Sequence, residues 1–341
     1  MTESSPETFF GLIFTGLRHS FKDALAIAWE LFRIIIPISI LTRLLQQAGV
    51  IDHIGHFIGP LMHLVGLPGE MGLVWATAMV INIYSALIVF ASLAPGLGLT
   101  MAQVTIITTM ILIAHALPVE LRIAQKVGTR FRAMLLLRVG GAFLLGWLLH
   151  VLYQASGTLQ QPSQALWSPP AAGPSWGSWL LAQGQSLVVI FVIIFSLVML
   201  LAILKKCGFS DLMTRLLEPL LTFLGMSREV APLAIIGMTL GISYGGGLLI
   251  REAEAGYLSK KDIFISLALM GLCHSVIEDT LVMLVFGAHL SGILWGRLAF
   301  TLLVVFLLAR LIRWVPQVVF DRYLVRNIAP RNSDPKGVSC C

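Results

Sequence analysis

Charge is scarce in this chain. Lys, Arg, Asp and Glu make up 12% of its 341 residues, against 57% hydrophobic residues. A soluble domain carries roughly twice that charged fraction, and the mean hydropathy of +0.89 excludes a soluble globular fold. Alternating polar and apolar residues are also lacking. The apolar runs are continuous, which excludes a β-barrel. Cysteine is nearly absent: Cys207, Cys273, Cys340 and Cys341 form no disulfide or metal-ligand pattern. The final pair has no aliphatic residues after it, so it is not a prenylation box, and it is read as an inert tail. No cleavable signal is expected. Phe9 to Leu17 is too short, and Arg18, His19 and Lys22 follow it where a small-residue cleavage site belongs. The net charge of +6 is spread in short basic clusters between apolar stretches. That pattern encodes membrane topology and argues against a nucleic-acid partner.

What remains is a set of apolar stretches long enough to span a bilayer, which takes about 18 residues or more. The spans expected are about 24–45, 102–125, 134–153, 186–204, 263–286 and 293–312. Residues 1–23 read as a polar end and a short amphipathic helix. Segments 51–66 and 210–224 are amphipathic and too short to cross comfortably. Residues 154–182 carry no charge, are rich in Pro, Ser, Gly and Gln, and hold Trp167, Trp176 and Trp179, which suits a linker at a membrane–water interface. The domains expected are therefore an N-terminal segment 1–23, a first repeat 24–153, the linker 154–182, a second repeat 183–314 and a basic tail 315–341.

The two repeats match at a constant offset of 159 residues. Gly49 pairs with Gly208, Asp52 with Asp211, Pro60 with Pro219, Gly66 with Gly225 and Glu70 with Glu229. His115 pairs with His274, Arg138 with Arg297, and Glu120 with Asp279, a conservative swap. Only Gly, Pro, His and charged pairs carry weight, because an apolar chain gives many chance Leu and Ile matches. A doubled apolar chain with matched intramembrane ionisable residues has the form of a secondary transporter.

Basic clusters set the expected orientation. Arg122 to Arg132, Lys205/Lys206, Arg251 with Lys260/Lys261, Arg310/Arg313 with the tail, and the N-terminus should all be cytoplasmic, and the linker external. Two solutions satisfy this. In one, 72–93 and 231–250 are re-entrant hairpins. In the other, 51–66 and 210–224 also cross, giving ten crossings. The hairpin solution is preferred, because Asp211, Arg215 and Glu218 make a poor span. The fold expected is thus an all-α polytopic membrane protein. It has two inverted-topology repeats, each with three spans, an amphipathic segment and a re-entrant hairpin.

The candidate chemistry lies in two constellations. The first is His115 with Glu120, mirrored by His274 with Glu278 and Asp279. An ionised carboxylate at membrane depth costs about 2.5–3.5 kcal/mol on insertion scales unless it is paired or hydrated. For Glu120 a pairing with Arg122 or Lys126 competes evenly with a functional role. Glu278 and Asp279 have no base nearby in sequence, and His274 and Glu278, four apart, would share a helical face. The second constellation is the hairpin centres, Asn82, Tyr84 and Ser85 against the run Gly241 to Gly247 with Ser243 and Tyr244. Small and polar residues there allow the backbone to unwind toward a ligand, or allow close helix packing. His53, His56 and His63 have metal-like spacing but are read as solvated interfacial residues. No nucleophile–base pair or metal-hydrolase motif appears, so an enzyme is not expected.

This combination of amphipathic segment, small-and-polar hairpin and a span with midplane His and acidic residues resembles the nucleoside-recognition or Gate domain. That domain is shared by the spore maturation A and B membrane proteins, the membrane part of ferrous iron transporter B and, more distantly, concentrative nucleoside transporters. The turns Gly66-Leu67-Pro68 and Gly225-Met226-Ser227, with His274 to Asp279, carry the resemblance. The chain lacks a Walker glycine loop and the intramembrane cysteine motif of the iron transporters. The resemblance implies binding between two hairpins and two partly unwound helices, driven by a cation gradient. The residues implied are Asn82, Ser85, Ser243 and Tyr244 on hairpins, and His115, Glu120, His274, Glu278 and Asp279 on helices. The expectation is a cation-coupled permease of the bacterial inner membrane for a small polar solute, nucleoside-like, with Na+ or H+ as coupling ion and no organic cofactor. The alternatives are a divalent metal ion transporter and a non-transporting membrane partner of a larger complex. The partners expected are substrate, lipid bilayer and, in one arrangement, further copies of the chain as a homo-oligomer.

Overall fold

The structure is a computed structural model that describes residues 6–166, 175–223, 225–255 and 258–326. It is all-helical apart from two isolated β-bridges. Helix α1 (Pro6–Gln47) is continuous, where the sequence suggests a separate amphipathic helix before residue 24. After it come α2 (Val50–His63), α3 (Met71–Val80), α4 (Ile83–Leu93), α5 (Met101–Ile113), α6 (Leu117–Val127) and α7 (Phe131–Ser156). The second half contains α8 (Trp176–Lys206), α9 (Phe209–Phe223), α10 (Ala231–Leu240), α11 (Ile242–Glu254), α12 (Lys260–Leu272) and α13 (Val276–Val285). A π-helical turn, Ser291–Gly296, leads into α14 (Arg297–Leu311), and α15 (Gln317–Tyr323) closes the described chain.

Among the described residues, six segments are long and apolar enough to cross a membrane: Ala24–Gln47, Met101–Val127, Phe131–Ser156, Trp176–Leu204, Lys260–Val285 and Ser291–Leu311. The protein is thus a multi-pass membrane protein. These are the six spans read from the apolar runs, although α8 begins at Trp176, inside the stretch read as linker. Met101–Val127 and Lys260–Val285 are the most buried of the six. The others present large apolar side chains outward, among them Trp29, Leu136, Leu181, Val188 and Leu303, as a lipid-facing shell does.

Helices α3 and α4 pack against each other, as do α10 and α11. Each arm is 10 to 13 residues, a rise of about 15–20 Å, against a hydrocarbon core of about 30 Å. The breaks have local causes. Asn82 is extended, and its Oδ1 accepts the N–H of Ser85 at 2.8 Å, starting α4. Gly241 takes φ 95°, which a side chain rarely adopts.

The second hairpin depends on small residues. A β-carbon at Gly245 would overlap the Gly237 backbone, and one at Gly246 would overlap Ile123 of α6. The first hairpin carries buried Ala78 and Ala86 at the positions equivalent to Gly237 and Gly245. These glycines therefore pack helices. Gly247 faces open space. Gly245→Leu is expected to abolish recovery of monodisperse protein in size-exclusion chromatography, and Gly247→Leu to leave it near wild type.

Hydrogen bonds gather the loops into two sets. In one, Arg130 N–H donates to Leu324 O and Arg130 Nε to Val325 O, and Lys260 Nζ lies 3.0 Å from Asp321 Oδ1. The start of α12 also holds the base of the second hairpin, where Asp262 Oδ1 accepts the Ser227 N–H. In the other set, Met101 and Ala102 N–H donate to Gln161 O and Leu159 O, and Leu166 N–H to Val285 O. Here Gln103 Nε2 donates to Gly66 O, at the base of the first hairpin. Thr100 with Gln103 caps α5, and Ser259 with Asp262 caps α12 at the equivalent positions.

Candidate functional site

Both inner spans are broken at the same place. Helix α5 ends before Ala114-His115-Ala116, and α12 ends before Cys273-His274-Ser275. Ala116 (φ 46°) and Ser275 (φ 45°) are left-handed at equivalent positions. A non-glycine residue there costs of order 1–3 kcal/mol and persists only where surrounding contacts hold it. Those contacts come in part from the hairpin tips. Ala116 N–H donates to Ala78 O, and a β-carbon at Gly241 would meet Ser275 Oγ.

A helix break frees carbonyls, and two buried arginines take them up. Arg138 donates from Nε to Ile113 O (2.9 Å) and from Nη2 to His115 O (3.2 Å). Arg297 donates from Nε to Leu272 O (3.1 Å) and from Nη2 to His274 O (2.8 Å). The four acceptors are equivalent in pairs. A guanidinium fork across two carbonyls at a helix C-terminus satisfies both and meets the negative end of the dipole.

The two histidines meet in the buried interior. His115 Nδ1 lies 2.9 Å from Ile111 O, and His274 Nδ1 lies 2.8 Å from Met270 O. A carbonyl only accepts, so each Nδ1 carries the hydrogen, and in a neutral ring Nε2 presents a lone pair. The two Nε2 atoms are 3.2 Å apart. Glu120 Oε1 lies 3.3 Å from one and 3.4 Å from the other. The other Glu120 oxygen is bound by Arg138 Nη1. All of these groups are buried.

The second half departs from the first at one point. Asp279 stands where Glu120 stands, and no ion pair joins it to Arg297. Asp279 Oδ2 and Arg297 Nη1 are both buried without a hydrogen-bond partner. Aspartate is one methylene shorter than glutamate. The swap that looks conservative in sequence leaves one acid–arginine pair closed and the other open. Asp279 still lies within 4.8 Å of the two histidine ligand atoms.

Two sequence readings are corrected here. Glu120 pairs with Arg138 and not with Arg122 or Lys126. His274 and Glu278 share no face, because the helix starts again between them; Glu278 accepts instead from Tyr84 Oη at 3.1 Å. Ser85 is buried with its Oγ unpartnered, and Asn82 serves as a helix cap. The side chains of Ser243 and Tyr244 lie outside the described residues. His53, His56 and His63 are exposed. Beside Tyr84 lies a small, partly open cavity that Gln183, Ser186, Ile190, Val282 and Phe286 also line. The buried Gln183 Nε2 in its wall has no partner.

Residues 28–130 match the family model for Gate, nucleoside recognition. A relative in Bacillus subtilis (strain 168), described as uncharacterized membrane protein YvoD, is 27% identical over 313 residues. The match covers 90% of this chain and 97% of that protein. No solved structure matches the chain.

Proposed function

We propose that this protein is a secondary permease of the bacterial inner membrane, moving a small solute through the interface between two inverted repeats. The observation that carries the reading is the meeting of His115 and His274, each at the break of its own span. Discontinuous helices at a repeat interface are the form in which transporters build midplane sites. The loop contacts support the inversion. The α6–α7 loop shares one face with the start of α12 and with α15, and the linker shares the other with the starts of α5 and the end of α13. Equivalent spans then run in opposite senses, and each hairpin is re-entrant, from opposite faces.

The arginine and lysine positions support a cytoplasmic first face, with both termini on it. The cavity beside Tyr84 is lined by residues from both halves of the chain. Its polar groups, Tyr84, Gln183 and Ser186, suit a small polar solute, and the Gate domain's description makes nucleosides the first class to try. A cation such as Na+ or H+ drives the cycle.

Single cysteines in a cysteine-free background test the arrangement. Gln161→Cys is expected to label only from outside and Arg132→Cys only from the cytoplasm. Labelling of Gln161→Cys from the cytoplasm would overturn the inverted arrangement. Gradient-driven uptake of radiolabelled nucleosides and other small solutes into proteoliposomes tests transport itself.

A further inference from the structure

Three lone pairs point at one another in the buried interior of this protein. With each Nδ1–H fixed on a carbonyl, His115 Nε2, His274 Nε2 and Glu120 Oε1 are all acceptors, at separations of 3.2, 3.3 and 3.4 Å. Acceptors do not gather in a buried space unless something positive joins them. A single shared proton makes a charged hydrogen bond of about 2.7–2.9 Å between two heavy atoms and leaves the third unserved. A metal ion serves all three at once. Tetrahedral bonds of about 2.0–2.1 Å place neighbouring ligand atoms roughly 3.3–3.4 Å apart, and the three observed separations form such a face.

The surroundings fit the same occupant. Metal-bound imidazoles usually donate the other ring N–H to a carbonyl or carboxylate, which fixes the tautomer, and ligating carboxylates are themselves hydrogen-bonded. Here both Nδ1 groups face carbonyls and Arg138 holds the far oxygen of Glu120. Asp279 lies near enough to the histidines to move in as a fourth ligand. Asp279 is 8% exposed, its Oδ2 has no partner, and it lies within 4.8 Å of the histidine nitrogens.

We propose that His115, His274, Glu120 and Asp279 form a binding site for one divalent transition-metal ion of the zinc class. Two imidazoles with carboxylates suit such an ion, whereas magnesium and calcium take all-oxygen sites. Each repeat supplies one histidine and one carboxylate, so the ion bridges the halves. That the ion is cargo rests on the transporter reading; that it binds does not.

The test uses the full-length protein purified in detergent, with Co2+ as spectroscopic probe and Zn2+ for stoichiometry. The expected result is one ion per chain, with the visible absorption of four-coordinate Co2+. His274→Gln and Asp279→Asn should each weaken binding at least tenfold. A His53→Gln, His56→Gln, His63→Gln triple variant should bind as wild type does. No stoichiometric binding by the wild type overturns the site, as does binding lost in the triple variant but kept in His274→Gln. The wild-type spectrum decides the matter even if a variant fails to fold. Zn2+ uptake into proteoliposomes is read separately. Binding without uptake keeps the site and removes zinc as cargo. Nucleoside uptake without metal binding keeps the transporter and removes the metal.

Discussion

Arg138→Gln is expected to destabilise the protein by about 3–5 kcal/mol, the usual cost of removing one partner from a buried ion pair. Arg297→Gln is expected to cost only about 1–2 kcal/mol. The two arginines are equivalent in the repeat, equally buried and fork the same pair of carbonyls. They differ in what Nη1 meets. Arg138 neutralises Glu120, so its loss leaves a buried carboxylate against two imidazoles. Arg297 Nη1 has no hydrogen-bond partner, so its loss forfeits carbonyl contacts that a glutamine amide partly restores. Apparent melting temperatures in one detergent check the difference. Equal losses would mean that both arginines act only as carbonyl caps and that the Glu120 pair adds nothing.

Much of this was legible in the chain, for identifiable reasons. The six spans follow from the apolar runs, because a bilayer demands that each be long and continuous. The hairpins follow from Asn82 and Gly241, residues that interrupt helices without charge. His115, Glu120, His274 and Asp279 follow from the offset combined with the cost of charge at membrane depth. Arg138 and Arg297 also obey the offset, yet nothing in the sequence marks them as site residues. A basic residue near a span end looks like a topology signal, and only the fold shows it turned inward. The grouping of His274 with Glu278 failed because four-residue spacing presumes an unbroken helix. Ser275 and Ala116 break the helix in a left-handed conformation without being glycines, so no residue type announces it.

The remaining asymmetry yields the sharpest experiment. Asp279→Glu adds one C–C bond, roughly 1.5 Å of reach, at the point where the acid falls short of Arg297. The longer carboxylate is expected to close the second ion pair as Glu120 closes the first. Two buried groups now lacking partners, Asp279 Oδ2 and Arg297 Nη1, would then satisfy each other. The melting temperature should rise. On the transporter proposal, with the ion as cargo, Zn2+ uptake into proteoliposomes should fall at least tenfold, for a physical reason. A cycle that exposes the site to each face in turn needs two arrangements of similar energy. With one acid locked to its arginine and the other open, the open acid is the group able to engage and release an ion. Closing both removes it. Asp279→Asn separates the effects, since it keeps the shorter reach, removes the charge and should raise stability little. Should Asp279→Glu melt higher and still carry zinc at the wild-type rate, the open pair plays no part in the cycle. Should its melting temperature not rise, the glutamate has not reached Arg297, and the extra methylene is only overpacking a buried position.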